Sequence, residues 1–212
     1  MIEIWVPPDS YRETTKKHNK RMNNTKILIT FLPLLFAACT SDPVPKPVGY
    51  FRIDLPKDTF TTYVTDCPYQ FDVHQLATVN KRDIPCWINF NYPQVKAVLQ
   101  ITYRQVDNNI DTLLSDMHNL VFRHTVKADG IQEKLFMNED KKVYGTLYKL
   151  HGDAATHTQF FLTDSVNHFL RGVVYFNAVP NEDSLRPVSS YMYDQVLHLI
   201  ETTEWKDGEV EF

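Results

Sequence analysis

The period of the apolar residues changes abruptly at Asp107-Asn108, and that change does most to limit what this chain can fold into. Before it, Val95, Ala97, Leu99, Ile101 and Tyr103 alternate with Lys96, Gln100, Thr102 and Arg104, the period of two that marks a strand with one buried and one wetted face. After it, Ile110, Leu113, Leu114, Met117, Leu120 and Val121 fall at i, i+3, i+4, i+7, i+10 and i+11, which is a helical stripe. Asn108 or Asn109 is placed to cap that helix, and Asp111 sits favourably in its first turn. Asp129-Gly130 then turns the chain into a meander of strands over Ile131–Met137, Val143–Leu150, Thr158–Thr163 and Phe169–Phe176. Ser184 is the expected cap of a last helix from Leu185 to about Thr203, with Val188, Met192, Val196 and Leu199 on its inner face. Earlier strands are expected over Tyr50–Pro56, Tyr69–Val73 and Cys86–Tyr92. Strands, helix, antiparallel meander, helix is the order of an α+β fold, an antiparallel sheet packed with two main helices.

Nothing in residues 1–38 fits that pattern. Asn23-Asn24-Thr25-Lys26 precedes an apolar run, Ile27 to Phe36, and then Ala37-Ala38-Cys39-Thr40. A basic n-region, about a dozen apolar residues and a small-residue cleavage site make a secretory signal, whereas a membrane span needs roughly 20 apolar residues. Cleavage before Cys39 leaves a thiol for lipid attachment, so Cys39 is the expected lipidation site and the bilayer the first expected partner. Stable anchoring takes more than one acyl chain, which a diacylglycerol plus an N-acyl group supplies. Residues 1–21 are a long preamble for such a signal, and Met22 is the expected start. The expected organisation is therefore an extension and signal (1–38), a lipidated tether rich in proline (39–49), one α+β domain (50–206) and an acidic tail (207–212).

Beyond residue 38 the chain holds 16 Lys/Arg and 23 Asp/Glu, a net charge of −7. An acidic body with no basic run argues against nucleic acid as a partner, because neutralising phosphates needs clustered Lys and Arg. An exported chain lets Cys67 and Cys86 form a disulfide, and each stands beside a proline at an expected turn; two buried free thiols are the alternative. Neither cysteine has a second Cys or His at metal-ligand spacing, and no metal or other cofactor is expected. His151 and His157 flank Gly152-Asp153, but there is no H-E-x-x-H or H-x-H to support a metal. No G-x-S-x-G, phosphate loop or catalytic-cysteine setting is present, so catalytic residues are not expected and the chain reads as a non-enzyme. The carboxylate pairs Glu139-Asp140 and Glu182-Asp183 fall in expected turns, where solvated charge explains them. His124, Lys127 and Asp129 form a polar cluster beyond the first helix, which reads either as an interaction patch or as helix C-capping. Tyr144/Tyr148 and Tyr191/Tyr193 are further candidates for a protein contact.

Several segments together resemble one family. They are Lys46-Pro47-Val48-Gly49-Tyr50-Phe51-Arg52-Ile53-Asp54-Leu55-Pro56, Cys86-Trp87-Ile88-Asn89-Phe90, Arg123 to Asp129, Lys142-Val143-Tyr144-Gly145, Gln159-Phe160-Phe161, His168 to Gly172 and His198 to Trp205. This set is similar to the gliding-motility lipoprotein GldD family of Bacteroidetes, from Cys39 to Trp205. The resemblance implies a membrane-anchored accessory lipoprotein of gliding motility and type IX secretion, whose partners are other proteins of that machinery. It implies no catalytic residues. The element order is also loosely similar to the Mog1/PsbP-like fold. The competing expectation is a periplasmic lipoprotein that binds a small ligand, which requires an enclosed apolar pocket of a few hundred Å³. In either case the expected place is the cell envelope, with the domain in the periplasm.

Overall fold

The computed structural model describes residues 54–123 and 128–206. Cys39, the tether, His124, Lys127 and the acidic tail lie outside the described residues. Within them the fold is α+β, with ten strands, all paired antiparallel, and two α-helices.

The strands are β1 (Phe60–Tyr63), β2 (Tyr69–His74), β3 (Thr78–Lys81), β4 (Ile88–Tyr92), β5 (Ala97–Gln105), β6 (Ala128–Asn138), β7 (Val143–Gly152), β8 (Thr158–Thr163), β9 (His168–Phe176) and β10 (Glu204–Trp205). Helix α1 spans Ile110–Phe122 and α2 spans Glu182–Thr202. Seven strands form one sheet in the order β3-β4-β5-β9-β8-β7-β6, and β1, β2 and β10 form a second, smaller one. The meander read from the sequence is the β6 to β9 half of the large sheet. Its central ladder pairs Leu99 with Val174, Ile101 with Gly172 and Tyr103 with Leu170.

The two faces of the large sheet are covered differently. On the inner face Leu99, Ile101, Phe160, Leu162 and Leu170 pack with Tyr69 and Phe71 of β2 and with Val188, Met192, Val196 and Leu199 of α2. On the outer face Tyr148, Leu150 and Phe169 pack beneath Leu113, Met117 and Val121 of α1. The helical stripe after Asp107-Asn108 thus covers only the β7 to β9 half of that face. Asn80 and Arg104 on the other half are exposed, and Asn89, Gln100 and Thr102 are half-exposed.

The structure corrects several boundaries. The strand expected over Tyr50–Pro56 has no strand in its described part, Asp54 to Pro56, and the first strand instead begins at Phe60. Pairing with β2 is what makes Phe60–Tyr63 extended. Helix α2 starts earlier than expected, because Asn181 rather than Ser184 is its cap: the Asn181 side chain accepts the Ser184 N–H at 2.9 Å. Asn109 does cap α1, but its side-chain oxygen accepts the Asp107 N–H at 2.9 Å instead of a helical one.

Candidate functional site

Cys67 and Cys86 form a disulfide with 5.6 Å between their Cα atoms. It joins the approach to β2 to the approach to β4, and so ties the small sheet to the large one. Cys86 has φ of 58°, in the left-handed region that non-glycine residues seldom occupy, and the Tyr69 hydroxyl donates to its carbonyl at 2.9 Å. Burial pushes the Tyr69 phenol well above its ordinary value, so it stays a donor.

This sharp entry into β4 sends Trp87 to the outer face. Its indole N–H donates to the Tyr103 carbonyl at 3.0 Å. The Arg82 guanidinium lies 5.3 Å from the ring centroid and that of Arg104 lies 6.0 Å away. Each such contact contributes about 0.5–1 kcal/mol at an exposed site. Among the described residues neither arginine forms an ion pair. Arg171 shares the face, opposite Thr102 in the ladder, and its Nε is buried without a partner. An open cleft of about 340 Å³ lined by Asp66, Lys81, Arg82, Ile84 and Trp87 runs beside the disulfide. The arrangement is a cationic, aromatic platform on an acidic chain. Its members stand 5 and 17 residues apart in sequence, Arg82 to Trp87 to Arg104, so no local spacing announced it.

A second constellation forms where β7 ends against the start of α2. The Glu182 carboxylate accepts the Gly152 N–H at 2.8 Å and meets His151 Nδ1 at 3.4 Å; these contacts, the backbone one first, hold its carboxyl below the usual range. His157 Nε2 lies 3.1 Å from the Gly152 carbonyl. The sequence marks the two histidines and Asp153 by their common turn, whereas Glu182 belongs there to a separate turn of solvated charge. The fold brings Glu182 in from 31 residues away, and Asp153 Oδ1 accepts the N–H of Glu182 at 3.0 Å. Asp129 is exposed and lines a neighbouring cleft with Asp153, Glu182 and Asp183. Among the described residues no group of three or more His, Cys, Asp or Glu side chains is arranged to hold a metal ion.

The tyrosine pairs divide between core and surface. Tyr148 and Tyr191 are buried, while Tyr144 and Tyr193 are half-exposed, with the Lys149 ammonium 5.1 Å from the Tyr193 ring. Among the described residues no helix is long and apolar enough to cross a membrane.

Antiparallel strands packed with two helices, a disulfide and a charged aromatic face make a domain of the α+β class. The model of the gliding motility lipoprotein GldD family matches residues 40–205, and the chain belongs to that family. It is a gliding-motility accessory lipoprotein, which places it at a membrane of the cell envelope. A comparison with curated proteins finds no match.

Proposed function

We propose that this protein is held on a membrane by acylated Cys39 and works in the periplasm as a binding component of the gliding-motility and type IX secretion machinery. The tether at 39–49 sets the distance between the lipid and a domain of residues 50–206, and the outer face around Trp87 takes an acidic segment of another protein of that machinery. One observation carries the mode of action: two exposed arginines lie over Trp87 and form no ion pair among the described residues, on a chain that is otherwise acidic. Tryptophan and arginine dominate the energetics of protein contacts, and complementary charge speeds encounter and selects the partner. The inner face of the sheet is filled with side chains, which favours this reading over an enclosed ligand pocket.

The test is deletion of the gene, scored for colony spreading and for secreted protein. Loss of both is expected. Normal spreading with normal secretion overturns the proposal, and loss of spreading alone removes the secretion role.

A further inference from the structure

The large sheet is open, and its two edges differ. At one edge β3 is four residues long and carries Lys81, a short charged strand of the kind that discourages further pairing. At the other, β6 is 11 residues long, contains no proline and pairs only with β7. Alternate main-chain N–H and C=O groups of β6 therefore point away from the sheet, and among the described residues no strand lies there to receive them.

The second half of β6 is also apolar where a solvated edge is ordinarily charged. Ile131 pairs with Leu150 and packs into the core beneath α1, which puts Ile131, Glu133, Leu135 and Met137 on the outer face. Gln132, Lys134 and Phe136 take the inner face, where Phe136 packs against the main core. Leu135 is 78% exposed and Met137 75%. Tyr144, opposite Met137 in the ladder, is half-exposed and extends the patch.

A second copy of the chain matches this edge in one register. Pairing two β6 strands antiparallel needs a two-fold axis perpendicular to the sheet, so outer faces stay outer and side chains meet only others from the same face. Charge then separates the registers, because like charges directly opposite destabilise a ladder. Centred on Glu133 the carboxylate faces itself, and centred on Lys134 the ammonium does. Centring on Gln132 carries the ladder into the register shift between Ala128 and Gly130, and centring on Phe136 shortens it to residues 134–138. Centred on Leu135, the ladder covers residues 132–138 and opposes no like charges. Leu135 then meets Leu135 of the second copy, and Met137 lies on the aliphatic stem of Glu133. The Lys134 ammonium, 5.1 Å from its own Phe136 ring, meets the Phe136 ring of the other copy as well.

We infer that the β6 edge pairs with the β6 edge of a second copy, antiparallel and centred on Leu135, joining two seven-stranded sheets into one. A ladder this short buries less than the roughly 1,600 Å² of a standard interface, so the dimer is a weak one whose population rises with concentration. It stands apart from the Trp87 face, which lies toward the β3 edge, and survives if the partner proposed there is wrong.

The experiment uses the full acylated chain in detergent, with sedimentation equilibrium over a range of concentrations and oxidative crosslinking of single added cysteines. A monomer–dimer equilibrium is expected. Opposed residues in such a ladder have Cβ atoms about 5 Å apart, so Leu135→Cys should crosslink to itself faster than Val179→Cys, which is equally exposed but lies between β9 and α2. Leu135→Lys and Leu135→Glu each place a charge against its own copy. Both replace an exposed side chain, so the fold persists, and each should weaken the dimer by more than about tenfold. An equal mixture of the two should restore it, because lysine then faces glutamate. A parent chain that stays monomeric at every concentration, Leu135→Cys crosslinking no faster than Val179→Cys, or a mixture no tighter than its components overturns the inference. So does a Leu135→Cys adduct to a different protein in cells when the purified chain is monomeric, which gives the edge to a foreign strand.

Discussion

The indole N–H of Trp87 donates to the main-chain carbonyl of Tyr103 at 3.0 Å, which fixes the ring beside the strand that carries Arg104. Trp87→Phe keeps a ring for the arginines but leaves that carbonyl without its donor, so a loss of about 1 kcal/mol is expected. Trp87→Ala also forfeits the packing of a half-buried ring, and a loss of about 2–3 kcal/mol is expected. Urea unfolding of the two variants, read from midpoints at constant slope, checks the order.

The disulfide between Cys67 and Cys86 closes a loop with a separation of 19 residues. In the chain-entropy account a loop of this size confers about 3 kcal/mol, mostly by restricting the unfolded chain. The Cys67→Ser/Cys86→Ser double variant should lose about that amount, and adding reductant to the parent should reproduce the loss. A drop under about 0.5 kcal/mol would remove the bridge from the stability account.

Gly172 lies under Phe160. A Cβ built there would come 2.1 Å from the Phe160 ring, which is fully buried and cannot swing away. Gly172→Ala should cost at least about 1–3 kcal/mol through overpacking. In the Phe160→Leu background the same change should cost measurably less, and a double-mutant cycle reads the coupling.

Stability should fall on mild acidification. Burial depresses the His157 pKa below its ordinary 6.5, so between those values the unfolded chain binds a proton that the folded chain does not. The contribution is complete above about pH 6.5 and is lost as pH falls through that value towards the folded pKa. A second loss follows at lower pH. Burial alone would raise the Asp164 carboxyl, but the N–H groups of His168, Val166 and Asn167 hold it below its ordinary 3.8, and that stabilisation disappears as pH falls through this range. Urea midpoints from pH 7.5 to 5 should decline in the parent and decline less in His157→Phe.

Long periodic segments were legible because burial wrote them into the residue pattern. The β5 alternation and the α1 stripe each bury one face continuously; the helix appears at the expected place, while the strand starts at Ala97 because Val95 closes a 3-10 turn. The short strands carried no such signal. All four residues of β3 are exposed, so no alternation exists to be read, and β10 is only two residues long, set by pairing Trp205 with Tyr69. The same holds for the sites. His151 and His157 could be noticed because they flank one turn, whereas Glu182 reaches them only through the packing of α2. Trp87 and Arg104 meet because of the β4–β5 register, which pairs Ile88 with Ile101 and nothing local specifies.

The most direct measurement is colony spreading by cells whose only copy of the protein carries Arg82→Glu and Arg104→Glu. Both arginines are exposed and, among the described residues, unpaired by carboxylates, so the variant should lose no more than the two contacts with Trp87, about 1–2 kcal/mol, and remain folded. It should reach the membrane at the parental level and fail to support spreading, because a partner's acidic segment then meets like charge. Normal spreading by that variant, at the same membrane level, would contradict the account.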